Sequence, residues 1–192
     1  VWMDEHGINF WTVSKYSSSP RGIRSNVAVL SSKGHNLTIF QATSASYGKI
    51  YMITSRTPGN ITSYSSFIEG MMRKWNENPR IPDSIKELGP ILIRDNCSIH
   101  ARRCEEDLDV KPTPRYSPFI NIAEFVNRNH KYIIRKLNRF NTYNGLLTRF
   151  SNIERGYRTN AMWEYLEAVA NYAWDQISDL TPKNYLLYIQ RT

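Results

Sequence analysis

The chain has 192 residues, 41% of them hydrophobic and 22% charged, which is the size and make-up of one globular domain and excludes wholesale disorder. Two cysteines are too few for a disulfide scaffold, and no run approaches the roughly 18 apolar residues that a spanning helix requires, so the chain reads as a soluble intracellular domain with no membrane partner. Twenty-five Lys and Arg against seventeen Asp and Glu leave a net charge of +8, which attracts polyanions, nucleic acid first among them.

In chain order, Val1–Asp4 (VWMD) is a short apolar run ending in an acid. Asn26–Ser31 and Leu37–Ala42 are β-branched and apolar, and the Ser-Ser-Lys-Gly stretch between them predicts a hairpin. Lys49–Thr54 is a third strand. Ile61–Asn76 has helical spacing, with Phe67, Met71, Met72 and Trp75 on one side. Pro79 and Pro82 close that segment. Ile91–Arg94 is continuously apolar up to its last residue, the pattern of a strand buried on both faces, and it ends at Asp95. Ile99–Leu108 predicts a short helix, stopped by Pro112 and Pro114.

Beyond Tyr116-Ser117-Pro118, residues Ile122, Val126, Ile133, Leu137 and Phe140 fit one apolar face of a helix. A last helix over about 160–178 carries a core stripe of Met162, Leu166, Val169, Ala173 and Ile177. The order β-β-β-α-β-α, followed by helices, predicts an α/β fold in which helices pack on a sheet.

Two acids stand at the ends of apolar strands, Asp4 and Asp95. A carboxylate just outside a sheet is well placed to face a ligand, although Asp also opens turns and caps helices. Glu124 heads a series continued by Arg128, Lys131, Arg135 and Arg139 at steps of 4, 3, 4 and 4, so that one helical face has an acid at the top and four cations below. Spacing alone is accounted for by a solvated face with an i,i+4 ion pair. The functional alternative is a metal-ligating acid above a track for DNA phosphates. Cys97 and Cys104, if helical, are about 10 Å apart along the axis, too far for a disulfide, and read as free thiols.

Three blocks resemble those of the Tc1/mariner and related DDE transposases, within the retroviral-integrase superfamily. VWMDEHGINFWTVSKYSSSPRG resembles the strand that ends in the first catalytic Asp, with the aromatic-rich loop and Pro-Arg-Gly turn after it. ILIRDNCSIH resembles the strand of the second Asp, continuing Asp-Asn-x-x-x-His. RYSPFINIAEFVNR resembles the Tyr-Ser-Pro-x-x-Asn-x-x-Glu block in which the third acid opens a helix. The blocks occur in the expected order over about residues 1–140.

The resemblance implies an RNase H-like mixed sheet flanked by helices, a single catalytic domain over 1–192. Its core would cover about 1–140 and a C-terminal helical extension about 141–192, without the N-terminal DNA-binding region of the family. It implies a catalytic and metal-ligating triad of Asp4, Asp95 and Glu124 holding two Mg²⁺ or Mn²⁺ ions. Asn96 and His100 would take secondary roles, His100 either orienting a metal-bound water or scissile phosphate or simply packing on its helix.

The loop from Glu5 to Asn26, with Phe10, Trp11, Tyr16, Arg21 and Arg24, would contact DNA or a partner subunit, or else pack on the sheet. The activity implied is cleavage of transposon ends and 3′-hydroxyl transfer into target DNA by a homodimer or higher assembly, nuclear in a eukaryote and otherwise cytoplasmic. A domesticated, silent DNA-binding or interaction module is the alternative. Only 28 residues separate Asp95 from Glu124, a shorter interval than usual in the family, so a shortened helix and strand are expected over 101–115. Ile122-Ala123 replaces the usual Pro-Ile before the third acid.

Overall fold

A computed structural model describes residues 1–12, 19–24, 34–95, 108–114, 120–141, 150 and 152–189. Five strands form one mixed sheet in the order β3-β2-β1-β4-β5: β1 (Trp2–Ile8), β2 (Leu37–Ser44), β3 (Gly48–Ser55), β4 (Leu92–Arg94) and β5 (Val110–Pro112). β1, β2 and β3 are successively antiparallel, whereas β4 runs parallel to β1 and β5 parallel to β4. Among the described residues, five helices accompany them: α1 (Ile61–Glu77), α2 (Asp83–Leu88), α3 (Ile122–Asn141), α4 (Arg155–Asp175) and α5 (Thr181–Ile189). This is the α/β, RNase H-like arrangement expected, with helices on both faces of the sheet.

Strand alternation sorts the core into two layers. Met3, Phe40, Ala42 and Ile50 face α1 and meet Tyr64, Phe67, Ile68, Met71 and Trp75. Ile8, Leu37 and Ile39 face the other way and meet Ile134 of α3 with Leu166, Val169, Ala170 and Ala173 of α4. The start of α1 is set by a capping box, in which Asn60 Oδ1 accepts from the Ser63 N–H at 2.9 Å and the Asn60 N–H donates to Ser63 Oγ at 3.1 Å. The stripe expected in the last helix is core, Leu166, Val169, Ala173 and Ile177 being buried.

Three sequence expectations change. The hairpin of Leu37–Ala42 with Asn26–Ser31 has no room, because β1 and β3 take both edges of β2; residues 25–33 lie outside the described residues. β1 runs on through Glu5, His6 and Gly7 to Ile8, so the stretch after Asp4 begins as strand and not as loop. Phe10 is core, stacked on Tyr165 with centroids 5.8 Å apart and set edge-on to Phe150. The three-residue β5 agrees with a shortened strand over 101–115; the helix expected at Ile99–Leu108 falls almost wholly outside the described residues. No described helix is long and apolar enough to cross a membrane.

Candidate active site

The site lies where β1, the end of β4 and the start of α3 meet. In β1, Asp4, His6 and Ile8 alternate onto the α3 side of the sheet. The parallel register pairs Trp2 with Ile93. Continued by two residues, it sets Asp95 level with Asp4 on the neighbouring strand, on the same face. The chain must leave the sheet there, and Asp95 is exposed.

α3 supplies the third acid. Asn121 caps it, its Oδ1 accepting from the Ala123 N–H at 3.1 Å, which gives the Asn of the Asn-x-x-Glu string a structural use. Glu124 then falls in the first turn, where the helix dipole favours an anion. From there α3 runs alongside β1 in the same direction: Asn127 meets Asp4, His130 meets His6, Ile134 packs in the cluster of Ile8, and Asn138 Nδ2 donates to the Thr12 carbonyl at 2.9 Å.

Asp4 is held at both oxygens. Its Oδ1 accepts from the Glu5 N–H at 2.8 Å and its Oδ2 from Asn127 Nδ2 at 2.6 Å. Burial nonetheless pushes its carboxyl up to about 7, with the Glu124 and Asp95 charges adding to the rise and the Glu5 N–H opposing it. The three acids expected from sequence are therefore brought within one another's field. Among the described residues, no three His, Cys, Asp or Glu side chains gather closely enough to hold an ion as they stand. The acids share a field and not yet a coordination sphere.

The donor set still fits a hard divalent cation: three carboxylates, one of them made harder to ionise by burial and by the charges of its neighbours, are what Mg²⁺ or Mn²⁺ would relieve.

Of the cations, Arg128 and Arg135 are exposed and Lys131 is half-buried on the same side of α3 as Glu124. The expected Glu124–Arg128 ion pair is not formed; the Arg128 guanidinium sits over the Phe125 ring at 5.3 Å, and Phe125 stacks on Tyr185 at 4.8 Å. Burial, with Arg135 beside it, lowers the Lys131 pKa, and the charges of Asp4 and Glu124 pull the other way. Lys131 thus belongs to the acids' neighbourhood. Arg139 lies in the last turn of α3. Arg21 and Arg24 are exposed. Asn96, His100, Cys97 and Cys104 lie outside the described residues.

Four polar residues of this centre escape the sequence reading. Gln41 is the cross-strand partner of Asp4; its Nε2 donates to Asn127 Oδ1 in a short contact and to the Ala123 carbonyl at 3.2 Å. His130 Nε2 lies 2.9 Å from the Ala170 carbonyl and its Nδ1 lies 3.2 Å from His6 Nε2. A carbonyl can only accept, so His130 carries its proton on Nε2. Its Nδ1 then accepts from His6 Nε2–H, which leaves His6 Nδ1 a bare acceptor, buried and without a partner. Both rings are neutral, burial pushing His130 down to about 4 and His6 well below its usual range. The signal that could have found them is the buried row Ala123, Asn127, His130, Ile134 at steps of 4, 3 and 4, polar at its centre.

A family model described as "DDE superfamily endonuclease" matches residues 1–147. No curated protein matches the sequence. Among solved structures, the chain is similar to the Mos1 transposase in its paired-end complex with the left transposon end, at 15% identity and a TM-score of 0.58. It is likewise similar to the Mos1 mariner paired-end complexes with Mn and with Mg, at 15% and 16% identity and TM-scores of 0.56 and 0.54. At such identities the likeness is one of fold. The alignments take in 95–97% of this chain and 49–51% of those, so the chain spans about half the length of these structures.

Proposed function

Because the chain belongs to the DDE superfamily endonucleases, we propose that it is the catalytic domain of a DNA transposase, cutting transposon ends and joining the freed 3′-hydroxyl to target DNA. The observation that carries this reading is the shared field of three acids from three elements, in which Glu124 and Asp95 help to raise Asp4. Asp4, Asp95 and Glu124 would hold the ions. Two divalent cations bound there would supply activation of the attacking oxygen and neutralisation of the leaving oxygen in an in-line displacement at phosphorus.

The chain's own residues do the rest. Glu5 N–H and Asn127 orient Asp4; Lys131, Arg128 and Arg135, with Arg139 further along the helix and Arg21 and Arg24 before β2, give phosphates a positive track. In the first step water adds to phosphorus and the 3′-oxygen leaves as a hydroxyl. In the second that hydroxyl attacks a target phosphate and displaces the target's own 3′-oxygen. Asn96 and His100 lie one and five residues after Asp95 in the chain and would complete its surroundings. A dimer or larger assembly would bring two DNA ends together.

The test is nicking of supercoiled plasmid by this chain with Mg²⁺ or Mn²⁺. Dependence on the cation, and loss of nicking in Asp4→Asn and Asp95→Asn, supports the reading; undiminished nicking in either variant refutes the triad. The incomplete closure of the acids favours one alternative, a silent module that binds DNA in a salt-sensitive way and releases no product.

A further inference from the structure

We propose that Asn127 is a positioning residue for Asp4, with its amide orientation fixed from behind by Gln41. The proposal rests on the metal-dependent reading above and extends it to residues to which the motifs assign no role.

An asparagine amide can turn over, presenting oxygen or nitrogen to the same neighbour. Presented to Asp4, the oxygen would repel the carboxylate, whereas the nitrogen donates to it. Gln41 decides between them. Its Nε2 donates to Asn127 Oδ1 and to the Ala123 carbonyl, so the oxygen of Asn127 is spoken for and the nitrogen is left for Asp4 Oδ2 at 2.6 Å.

All three side chains are held by rigid elements: Gln41 and Asp4 face each other across the β1–β2 ladder, and Asn127 is buried on α3. The His6–His130 pair closes the space one step further along, so Asn127 cannot swing away down the groove between β1 and α3.

The choice of a neutral donor has a chemical consequence. A carboxylate oxygen carries two lone-pair positions. The amide of Asn127 uses one on Oδ2 and the Glu5 N–H one on Oδ1, which leaves each oxygen a second position for a cation. An Arg or Lys in place of Asn127 would orient the carboxylate equally well but would cancel the charge that a divalent cation needs. Outer partners of this kind typically contribute 10–100-fold to metal affinity.

The experiment measures Mn²⁺ binding by the loss of the free-ion paramagnetic resonance signal, on folded protein without DNA, with melting temperature recorded alongside. The variants are Asn127→Leu, which keeps volume and removes the donor, Gln41→Met, and the pair together. We expect Asn127→Leu to weaken Mn²⁺ binding by about 10–100-fold and Gln41→Met by less, with the double variant no worse than Asn127→Leu, since Gln41 acts only through Asn127.

Folded Asn127→Leu that binds Mn²⁺ within twofold of the unaltered chain would overturn the proposal. Should Asn127→Leu not fold, Gln41→Met decides alone on the same twofold criterion. An unaltered chain that binds no Mn²⁺ removes the functional reading and this proposal with it; binding in the unaltered chain with equal binding in the variants removes the proposal only.

Discussion

The rings of His6 and His130 meet edge to face between β1 and α3, their planes at 87° and the two nitrogens 3.2 Å apart. Since the Ala170 carbonyl demands a proton on His130 Nε2 and His130 Nδ1 accepts from His6, His130 cannot gain a second proton without breaking a hydrogen bond inside the core. An unfolded imidazole titrates at 6.5, whereas burial holds that of His130 near 4. Between these values the unfolded chain binds a proton that the folded chain refuses, so folding stability from this group is complete above pH 6.5 and is lost as pH falls toward 4. Asp4 acts oppositely: folded near 7 and unfolded at 3.8, it makes stability fall as pH rises through that window. The unaltered chain should therefore show a shallow, partly cancelled pH dependence in urea melts. Asp4→Asn should unmask a rise of at least about 3 kcal/mol between pH 4 and 6.5, the share of His130 alone, with His6 adding to it. A flat profile in Asp4→Asn would remove the buried imidazoles as the cause.

Asp4→Asn should also stabilise the metal-free chain at pH 8, by on the order of 2 kcal/mol once partial solvent access is discounted. The substituted amide keeps the shape of the carboxyl and spares the cost of a desolvated charge beside Glu124 and Asp95, which outweighs the loss of one of its two accepted hydrogen bonds, since an amide nitrogen cannot accept. Mn²⁺ should raise the melting temperature of the unaltered chain and not that of the variant, because only the former has the charge that binding neutralises. Thermal melts with and without Mn²⁺ check both signs. Destabilisation by Asp4→Asn in the absence of metal would mean that the carboxylate is compensated in the fold after all.

Asn121 offers a test of how the third acid is placed. Its side chain caps α3 through the Ala123 N–H, and Asn121→Ala should cost about 1 kcal/mol of stability. Fraying there moves Glu124 while leaving Asp4 and its hydrogen bonds in place. Nicking should fall by more than the loss of folded protein explains, and Asn121→Asp, which keeps the acceptor, should restore most of it. Equal activity in Asn121→Ala and the unaltered chain would show that Glu124 needs no fixed first turn.

The acids were legible in the sequence because each closes or opens a pattern: Asp4 and Asp95 end apolar runs, although β1 itself continues past Asp4, and Glu124 opens a periodic helix. The continuation of β1 was not, since Glu5-His6-Gly7 reads as polar and broken; His6 is tolerable inside only because His130, 124 residues away, completes it. Gln41 and Asn127 belong to residue types that favour the surface, and what makes them buried is each other. The residue pattern hid β5 behind its own proline, which sheet edges tolerate and central strands do not; only the resemblance led to a shortened strand over 101–115. Phe10 misled by its basic and aromatic neighbours, a local composition that says nothing of the packing partners Phe150 and Tyr165.

The positive side of α3 makes a separable prediction about DNA. Arg128 and Arg135 are exposed and Lys131 half-buried, on one helical face and on the same side as Glu124. Each phosphate neutralised releases about one counterion, so replacing any one cation that contacts DNA should lower the slope of log affinity against log salt by about one, whatever the DNA sequence. Lys131→Ala should act twice, because the ammonium also offsets the charges of Asp4 and Glu124; Mn²⁺ affinity should rise as DNA affinity falls. Arg128→Ala should change the salt slope alone, its guanidinium standing over Phe125 and forming no ion pair with Glu124. Fluorescence-anisotropy titrations of a short duplex at several salt concentrations give the slopes. Unchanged slopes in Arg128→Ala, Lys131→Ala and Arg135→Ala would mean that this face of α3 is solvated and that DNA docks elsewhere on the molecule.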